Sequence, residues 1–330
     1  MTKLSEEPKY GFAIGRIRAL EPALMDRARY ERFVRARNGE EFVAALAETP
    51  YGRFLEGGTA GVGLAFDRAA EENFAFFSEY ALDDWLVRLF TLPAAFRALK
   101  TALKSALSQG GTDVTVPREL ATAEQKTLID KEVARIVEAS ARSRNPAWVD
   151  AAVDRLMQDV ELQVASPSEF LVGYLGLHAD TENLRTLARL KTKTDGGETA
   201  AGEMEAAFLR GGTLTLASLA AALPEPWPAV VELLAKAPPY GTGSEAFREY
   251  LERGQAAVAG HRSFTRMERL GREMELRFLR QTRYATFGHE PLVTYFLLRE
   301  NELRNLRQLY AAKLAGLADE ETQEMVAYAD

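Results

Sequence analysis

Residues 262–283 read RSFTRMERLGREMELRFLRQTR, and this stretch decides the fold class. Its apolar side chains recur every three or four residues, and most of its arginines follow the same period on another side. The apolar set is Phe264, Met267, Leu270, Met274 and Phe278. Because an α-helix turns about 100° per residue, the two sets occupy different faces of one amphipathic helix.

The same helical period extends over much of the chain. It covers residues 129–140, 147–160, 170–191 and 292–314. Alternation with a period of two, which is typical of a strand, occurs only weakly at 112–116, where the neighbouring Gly110-Gly111 favours a loop. The sequence therefore predicts an all-α protein.

One proline interrupts the longest amphipathic stretch. This stretch runs from about residue 65 to residue 107, and Pro93 lies inside it. Proline has no backbone N–H and its ring clashes with the preceding helical turn. We therefore expect the helix to be kinked or split in two.

Composition limits the class of protein. The 330 residues carry a formal net charge of −7, which gives no support to a nucleic-acid-binding role. The chain has no cysteine, and this excludes disulfides, thiolate zinc sites and iron–sulfur clusters. Its three histidines leave little room for a histidine-rich metal site. We expect no metal and no cofactor.

No stretch of the chain has the length and apolar character of a membrane span. The longest strongly apolar run, 291–298, is far shorter than the roughly 18 to 20 residues that a spanning helix needs. The first residues lack the apolar segment of a secretory signal. We expect a soluble protein that reaches membranes only through partners and does not insert into the bilayer.

Motifs with catalytic chemistry are missing. His178, His261 and His289 are far apart, and none is part of an H-E-x-x-H motif. His289 precedes Pro291 in a turn, so we expect it to cap a helix or to lie on the surface. The sequence has no G-x-x-x-x-G-K-[ST], and its glycine-rich segment 58–63 follows no strand, which favours a flexible loop over a phosphate site.

A nine-residue pattern occurs twice. Residues 183–191 and 305–313 both read N-L-R-x-L-x-x-x-K, and a weaker copy, A-F-R-A-L, lies at 95–99. The intervals between copies exceed the roughly 20 to 50 residues of a solenoid repeat. They are consistent with a helical domain of about a hundred residues that is present three times. Chance recurrence of leucine and arginine on helices is the alternative.

Four segments resemble one family. Residues 288–317, GHEPLVTYFLLRENELRNLRQLYAAKLAGL, closely resemble the C-terminal signature of the V/A-type ATPase C subunit, the counterpart of eukaryotic subunit d. The segments YGFAIGRIRALE at 10–21, TPYG at 49–52 and DTENLR at 180–185 are similar to earlier motifs of that family, in the same order. The first N-L-R copy departs from the pattern, with Ala95 in place of the asparagine.

The resemblance implies a fold and a role. The fold is all-α, with three pseudo-repeated domains at 1–112, 113–200 and 201–330 arranged about a pseudo-threefold axis as a funnel. The role is that of a non-catalytic central-stalk subunit on the cytoplasmic face of the membrane. It joins the shaft, subunits D and F, to the proteolipid ring of the membrane sector. A helical adaptor outside any ATPase is the alternative, and a helical enzyme is a third class.

Two groups of residues are candidates for contacts. Asn183 and Arg185 in one copy match Asn305 and Arg307 in another. Asparagine is mildly unfavourable inside a helix, so a specific polar contact is expected to explain both. That contact lies either at the interior or mouth of the funnel, or between neighbouring repeats.

The second group is the arginine face of residues 262–283, which carries seven arginines against three glutamates. Arg266 and Arg277 represent it. The face either docks an acidic partner surface or is simply solvated.

Overall fold

The computed structural model describes residues 4–5, 7–108, 114–120, 123–143, 146–193, 198–239, 241–261 and 264–329. Over these residues the protein is all-α, as predicted, and contains no strand. Fifteen α-helices are described: α1 Gly11–Leu20, α2 Arg27–Val34, α3 Gly39–Ala47, α4 Val62–Tyr80, α5 Asp84–Ser108, α6 Ala123–Ser143, α7 Pro146–Ala165, α8 Glu169–Thr192, α9 Glu198–Ala207, α10 Leu216–Ala222, α11 Trp227–Leu234, α12 Ser244–His261, α13 Thr265–Leu279, α14 Glu290–Leu314 and α15 Asp319–Gln323. Short 3-10 helices lie at Pro8–Tyr10, Glu21–Ala23, Pro50–Phe54, Gly58–Gly61, Arg118–Leu120 and Arg280–Thr282.

The helices predicted from periodicity are present. The stretch 262–283 contains α13 and the 3-10 helix that follows it, and 170–191 and 292–314 lie within α8 and α14. Of the weak alternation at 112–116, residues 114–116 have no regular structure and the first two lie outside the described residues. The glycine-rich segment 58–63 forms a 3-10 helix and the first turn of α4.

Local chemistry fixes the ends of α8 and α14. The Ser168 hydroxyl accepts a hydrogen bond from the Leu171 N–H at 3.3 Å and so caps the start of α8. Gly316, with φ +70°, follows the last turn of α14 in the left-handed conformation that glycine tolerates best. The Leu317 N–H then donates back to the Ala312 carbonyl at 3.0 Å, which closes the helix end.

The long amphipathic stretch is split, but not at the proline. The break is at residues 81–83, between α4 and α5, whereas Pro93 lies inside α5. At the break, the Leu82 N–H donates to the Tyr10 hydroxyl at 3.1 Å, so a tertiary contact takes over from the helical bond. Within α5 the proline removes a single backbone donor, and α5 packs along α7 on either side of it.

The chain divides into two compact units. Unit 1 is discontinuous and consists of Lys3–Leu82 together with Ala256–Asp330, while unit 2 is the continuous segment Asp83–Gln255. The division into three repeats at 1–112, 113–200 and 201–330 stays a prediction.

In unit 1, α14 is the central helix and contacts α1, α3, α4 and α15. Its Leu303, Leu306 and Leu309 are fully buried in a core shared with Phe42 and Phe66 of α3 and α4. Removing such side chains from water supplies most of the energy that holds the N-terminal and C-terminal parts of the unit together.

In unit 2, α7 takes the central place and contacts α5, α6, α8 and α9. Val153 and Val160 of α7 are fully buried, as is Leu187 of α8. Across the described residues of both units, we find no helix with the combination of length and hydropathy that a bilayer crossing requires.

Candidate functional site

Asn305 in α14 holds the C-terminal segment of the chain. Its Nδ2 donates to the Ala327 carbonyl at 2.8 Å, and the Ala327 N–H donates back to its Oδ1 at 3.2 Å. Asn301, one turn earlier, adds a second donor to the same carbonyl at 3.2 Å. Asn305 is fully buried. The side-chain amide thus satisfies both polar groups of one buried peptide unit, which would otherwise be costly to leave unpaired.

Glu302 lies between these two asparagines in sequence and is also buried. Its carboxylate accepts hydrogen bonds from the Met25 N–H and from the Tyr51 hydroxyl. Arg299 lies 4.0 Å from the same carboxylate and 4.7 Å from the centre of the Tyr51 ring. Burial raises the pKa of Glu302, and the Tyr51, Met25 and Arg299 contacts oppose that shift by favouring the charged form.

An equivalent arrangement exists on α8. Asn183 is fully buried, and its Nδ2 donates to the Leu209 carbonyl at 2.8 Å. The Leu209 N–H donates back to Asn183 Oδ1 at 2.9 Å. Asn183 and Asn305 therefore do the same work: each pairs with one peptide unit of the segment that follows its own helix.

Asp180, three residues before Asn183, matches Glu302, which stands three residues before Asn305. Asp180 accepts hydrogen bonds from the Thr213 N–H at 2.8 Å and the Leu214 N–H at 3.0 Å. At Gly212 the backbone comes so close that a Cβ would lie 2.1 Å from the carboxylate. Burial raises the pKa of Asp180 to about 6, against the opposing effect of the backbone bonds.

We call each acid–asparagine pair with its bonded backbone a buried clamp: Asp180 with Asn183, and Glu302 with Asn305. The weaker sequence copy has none. There Leu92 stands at the acidic position and Ala95 at the asparagine position, and both are buried.

Arg185 and Arg307, which follow the two asparagines, point away from the clamps. Arg307 binds Asp67 of α4 at 2.9 Å, with both side chains substantially exposed. Arg185 forms an ion pair with Glu182 on its own helix. The interior or mouth of a funnel remains a predicted location for these two arginines.

The arginine face of α13 mostly binds the chain itself. Arg266 lies 3.7 Å from Glu324, and Arg272 donates to the Met325 carbonyl at 2.9 Å. Arg280 donates through its Nε to the Ala329 carbonyl at 2.7 Å. A simply solvated face does not describe these three residues. Arg277 is exposed, and docking of an acidic partner there stays a prediction.

A charged cavity of about 720 Å³ lies in unit 2 among α7, α8 and α9. One face of α8 lines it with His178, Glu182, Arg185, Arg189 and Lys193. Asp150 and Asp154 line the α7 side, and Glu203 the α9 side. The cavity is therefore walled by charges of both signs.

No group of three or more His, Asp or Glu side chains that could hold a metal ion occurs among the described residues. His289 is buried rather than on the surface, and its side chain makes no capping hydrogen bond to α14. Its ring instead lies edge-on to that of Tyr10, with the centroids 6.1 Å apart. Capping or exposure was the wrong prediction for this residue.

Sequence reasoning singled out the two asparagines but missed the two acids. Charged residues on a helix are normally expected to face water, so Asp180 and Glu302 drew no attention as buried groups. The available signal was their shared position three residues before each asparagine. The segments that the clamps hold, 209–214 and 325–329, carried no signal of their own.

The fold and the clamps define an all-α scaffold in which the motif residues hold the chain together. The family model described as ATP synthase (C/AC39) subunit matches residues 13–325, and the chain belongs to this family. The resemblance seen in its motifs is thereby confirmed. A search of curated proteins finds no match.

Proposed function

We propose that the chain is the non-catalytic central-stalk subunit of a rotary V/A-type ATPase or ATP synthase. In this role it is a socket that joins the shaft, formed by subunits D and F, to the proteolipid ring of the membrane sector. It lies on the cytoplasmic face of the membrane, where the complex holds it. It transmits rotation during ion transport and does no chemistry itself.

The family match over residues 13–325 carries this proposal. The use of the motif residues supports it. Asn183, Asn305, Asp180 and Glu302 are all buried and bonded to backbone or to Tyr51, so they are placed to stiffen a scaffold. A part that passes torque between two partners requires such stiffness.

The same proposal includes three pseudo-repeats about a pseudo-threefold axis, forming a funnel. The matching clamps on α8 and α14 support duplication of a helical unit, since both the residues and their bonding pattern recur 122 positions apart. The first copy at 95–99 would be the one that lost its polar pair.

The test compares ATP hydrolysis with ATP-driven ion pumping in membranes that carry the complete enzyme and in membranes stripped of this chain. We expect the isolated catalytic head to hydrolyse ATP without the chain. We expect pumping to be lost in its absence, because shaft and ring are then no longer joined.

Adding back the purified chain should restore pumping, and this is the control for damage caused by stripping. The chain alone should neither hydrolyse ATP nor bind it. Robust pumping in the complete absence of the chain would refute the coupling role and favour an adaptor outside the ATPase.

A further inference from the structure

The cavity in unit 2 is the strongest unassigned feature of the molecule. The α8 residues that line it recur at helical intervals, so one full face of α8 is open to the cavity over about four turns. Its volume of about 720 Å³ is many times the roughly 30 Å³ that one water occupies in the liquid. The space is therefore large enough for several side chains of another molecule.

The carboxylates around the cavity already have cationic partners. These pairs are Asp150 with Lys104 at 2.7 Å, Asp154 with Lys100 at 2.5 Å, Glu203 with Lys193 at 2.5 Å, and Glu182 with Arg185. Arg189 is exposed on the same face of α8 and forms no ion pair among the described residues. The cavity thus carries one uncompensated positive charge, in a chain whose net charge is −7.

Unit 1 shows what the equivalent arginine binds. Arg307 occupies in α14 the place of Arg185 in α8, two residues after the clamp asparagine. It binds Asp67 on the neighbouring helix α4 at 2.9 Å, with its guanidinium 6.0 Å from the centre of the Phe66 ring. In unit 2 the ion pair of Arg185 is instead with Glu182, one turn back on its own helix.

We propose that this cavity is a docking site for an acidic helical segment of the shaft, with Arg189 as the charge that receives it and Arg185 beside it. Charge complementarity and the helix-borne aspartate that meets Arg307 both point to this occupant. The inference rests on the proposed function, because it takes the partner from it. It goes further by naming the surface and the chemistry of the contact.

A charge contact at the edge of an interface acts mainly on orientation and association, and salt screens it. Reversing that charge places like charges together and costs more than removing it. We therefore expect Arg189→Glu to weaken shaft binding by about tenfold or more, and Arg189→Ala to weaken it less.

The first experiment measures binding of the purified full-length chain to its purified D–F pair at several salt concentrations. The matched control is Arg253→Glu, an exposed arginine on α12 of the same unit that lies outside the cavity. We expect the control to bind within about twofold of the wild type and Arg189→Glu to lose most of the salt dependence. Wild-type affinity in Arg189→Glu would overturn the docking site while leaving the coupling role intact.

The second experiment uses the absence of cysteine from the chain. A single cysteine placed in the cavity, Thr186→Cys, is compared with one at the exposed α12 position, Glu252→Cys. We expect D–F to slow alkylation of the cavity cysteine severalfold and to leave the control unchanged. Equal rates with and without D–F would count against the proposal, even if Arg189→Glu binds weakly.

Three further outcomes are distinguishable. If the wild-type chain does not bind D–F at all, the proposed function fails and this inference fails with it. If the detergent-solubilised proteolipid ring protects Thr186→Cys and D–F does not, the surface belongs to the ring. If inorganic phosphate or ATP alone protects it, the cavity is a small-anion site and the docking proposal is wrong.

Discussion

Asn305 and Ala327 bind each other in both directions, with the side-chain amide donating at 2.8 Å and the backbone N–H donating back at 3.2 Å. The contact joins the middle of α14 to a segment 22 residues further along the chain. It is the polar counterpart of the leucine packing on the same helix. The C-terminal segment therefore depends on it for its position.

Replacing Asn305 by alanine should lower the free energy of unfolding by about 1 to 3 kcal/mol, because the Ala327 N–H is left buried without its acceptor. Urea unfolding measures this, and hydrogen exchange should become faster over residues 324–329. The control is Arg304→Ala on the same helix, which is exposed and should change stability by no more than about 0.5 kcal/mol. Equal stability of the two variants would contradict a structural role for the clamp.

The Tyr51–Glu302 hydrogen bond should show coupling in a double-mutant cycle. Tyr51→Phe should cost about 1 to 3 kcal/mol, because a buried carboxylate loses a donor. In a Glu302→Gln background the same substitution should cost about 1 kcal/mol less, since the neutral amide needs the donor less. Costs that simply add in the double variant would show that the two side chains do not act together.

Glu161 should make stability fall as pH rises. Burial raises the pKa of this α7 carboxyl to about 7, with His178 opposing the shift and Asp154 adding to it. Between the ordinary value of 4.5 and about 7, the folded state keeps a proton that the unfolded state has lost. The contribution to stability therefore decreases through this window and stays low above it.

Glu161→Gln removes that dependence. The variant should match the wild type near pH 4.5 and exceed it by up to about 3 kcal/mol at pH 8, at roughly 1.4 kcal/mol per pKa unit. Melting temperatures across this pH range measure the difference. The control is Glu205→Gln, an exposed position on α9, for which the difference from wild type should be small and flat. A gain that does not grow with pH would refute the assignment.

Ala95→Asn should not restore the clamp in the weaker copy. The buried amide would meet apolar surroundings, with Leu92 where the acid stands in the other copies, so we expect a loss of about 1 to 3 kcal/mol. Ala98→Asn, exposed on the same helix, is the matched control and should cost only the difference in helix propensity, about 0.5 kcal/mol. Similar losses at the two positions would mean that Ala95 tolerates a polar side chain.

The arginine face separates into two kinds of residue, and Arg277→Glu tests the exposed kind. This variant should keep its stability within about 0.5 kcal/mol and weaken assembly of the complex in a salt-dependent way. Arg266→Glu faces Glu324 of the chain itself and should instead loosen the C-terminal segment. Unchanged complex yield with Arg277→Glu at low and high salt would leave that residue as a solvated one.

Helices were predictable from sequence and their partners were not. The period of apolar residues located α8, α13 and α14, since each buries one face over several turns. Pro93 misled, because a tertiary bond from Leu82 to Tyr10 decided where the long stretch breaks. A bond between residues 72 apart leaves no periodic trace in the sequence.

The candidate site was half predictable. An asparagine in the middle of a helix is unfavourable by itself, and this singled out Asn183 and Asn305. Their partners, Leu209 and Ala327, contribute only backbone atoms, which every residue has, so no side-chain pattern could mark them. The arginines of α13 were read as facing water or a partner because the return of the C-terminal segment depends on the whole fold.

The discontinuity of unit 1 has a consequence for synthesis of the protein on the ribosome. Its first part ends at Leu82, and its second begins at Ala256, about 170 residues later. At roughly 5 to 20 residues per second, α1 to α4 emerge about ten to thirty seconds before the helix that covers them. Unit 2 is complete by then. We conclude that the newborn N-terminal helices wait with their apolar faces uncovered, which makes them the natural client of a chaperone.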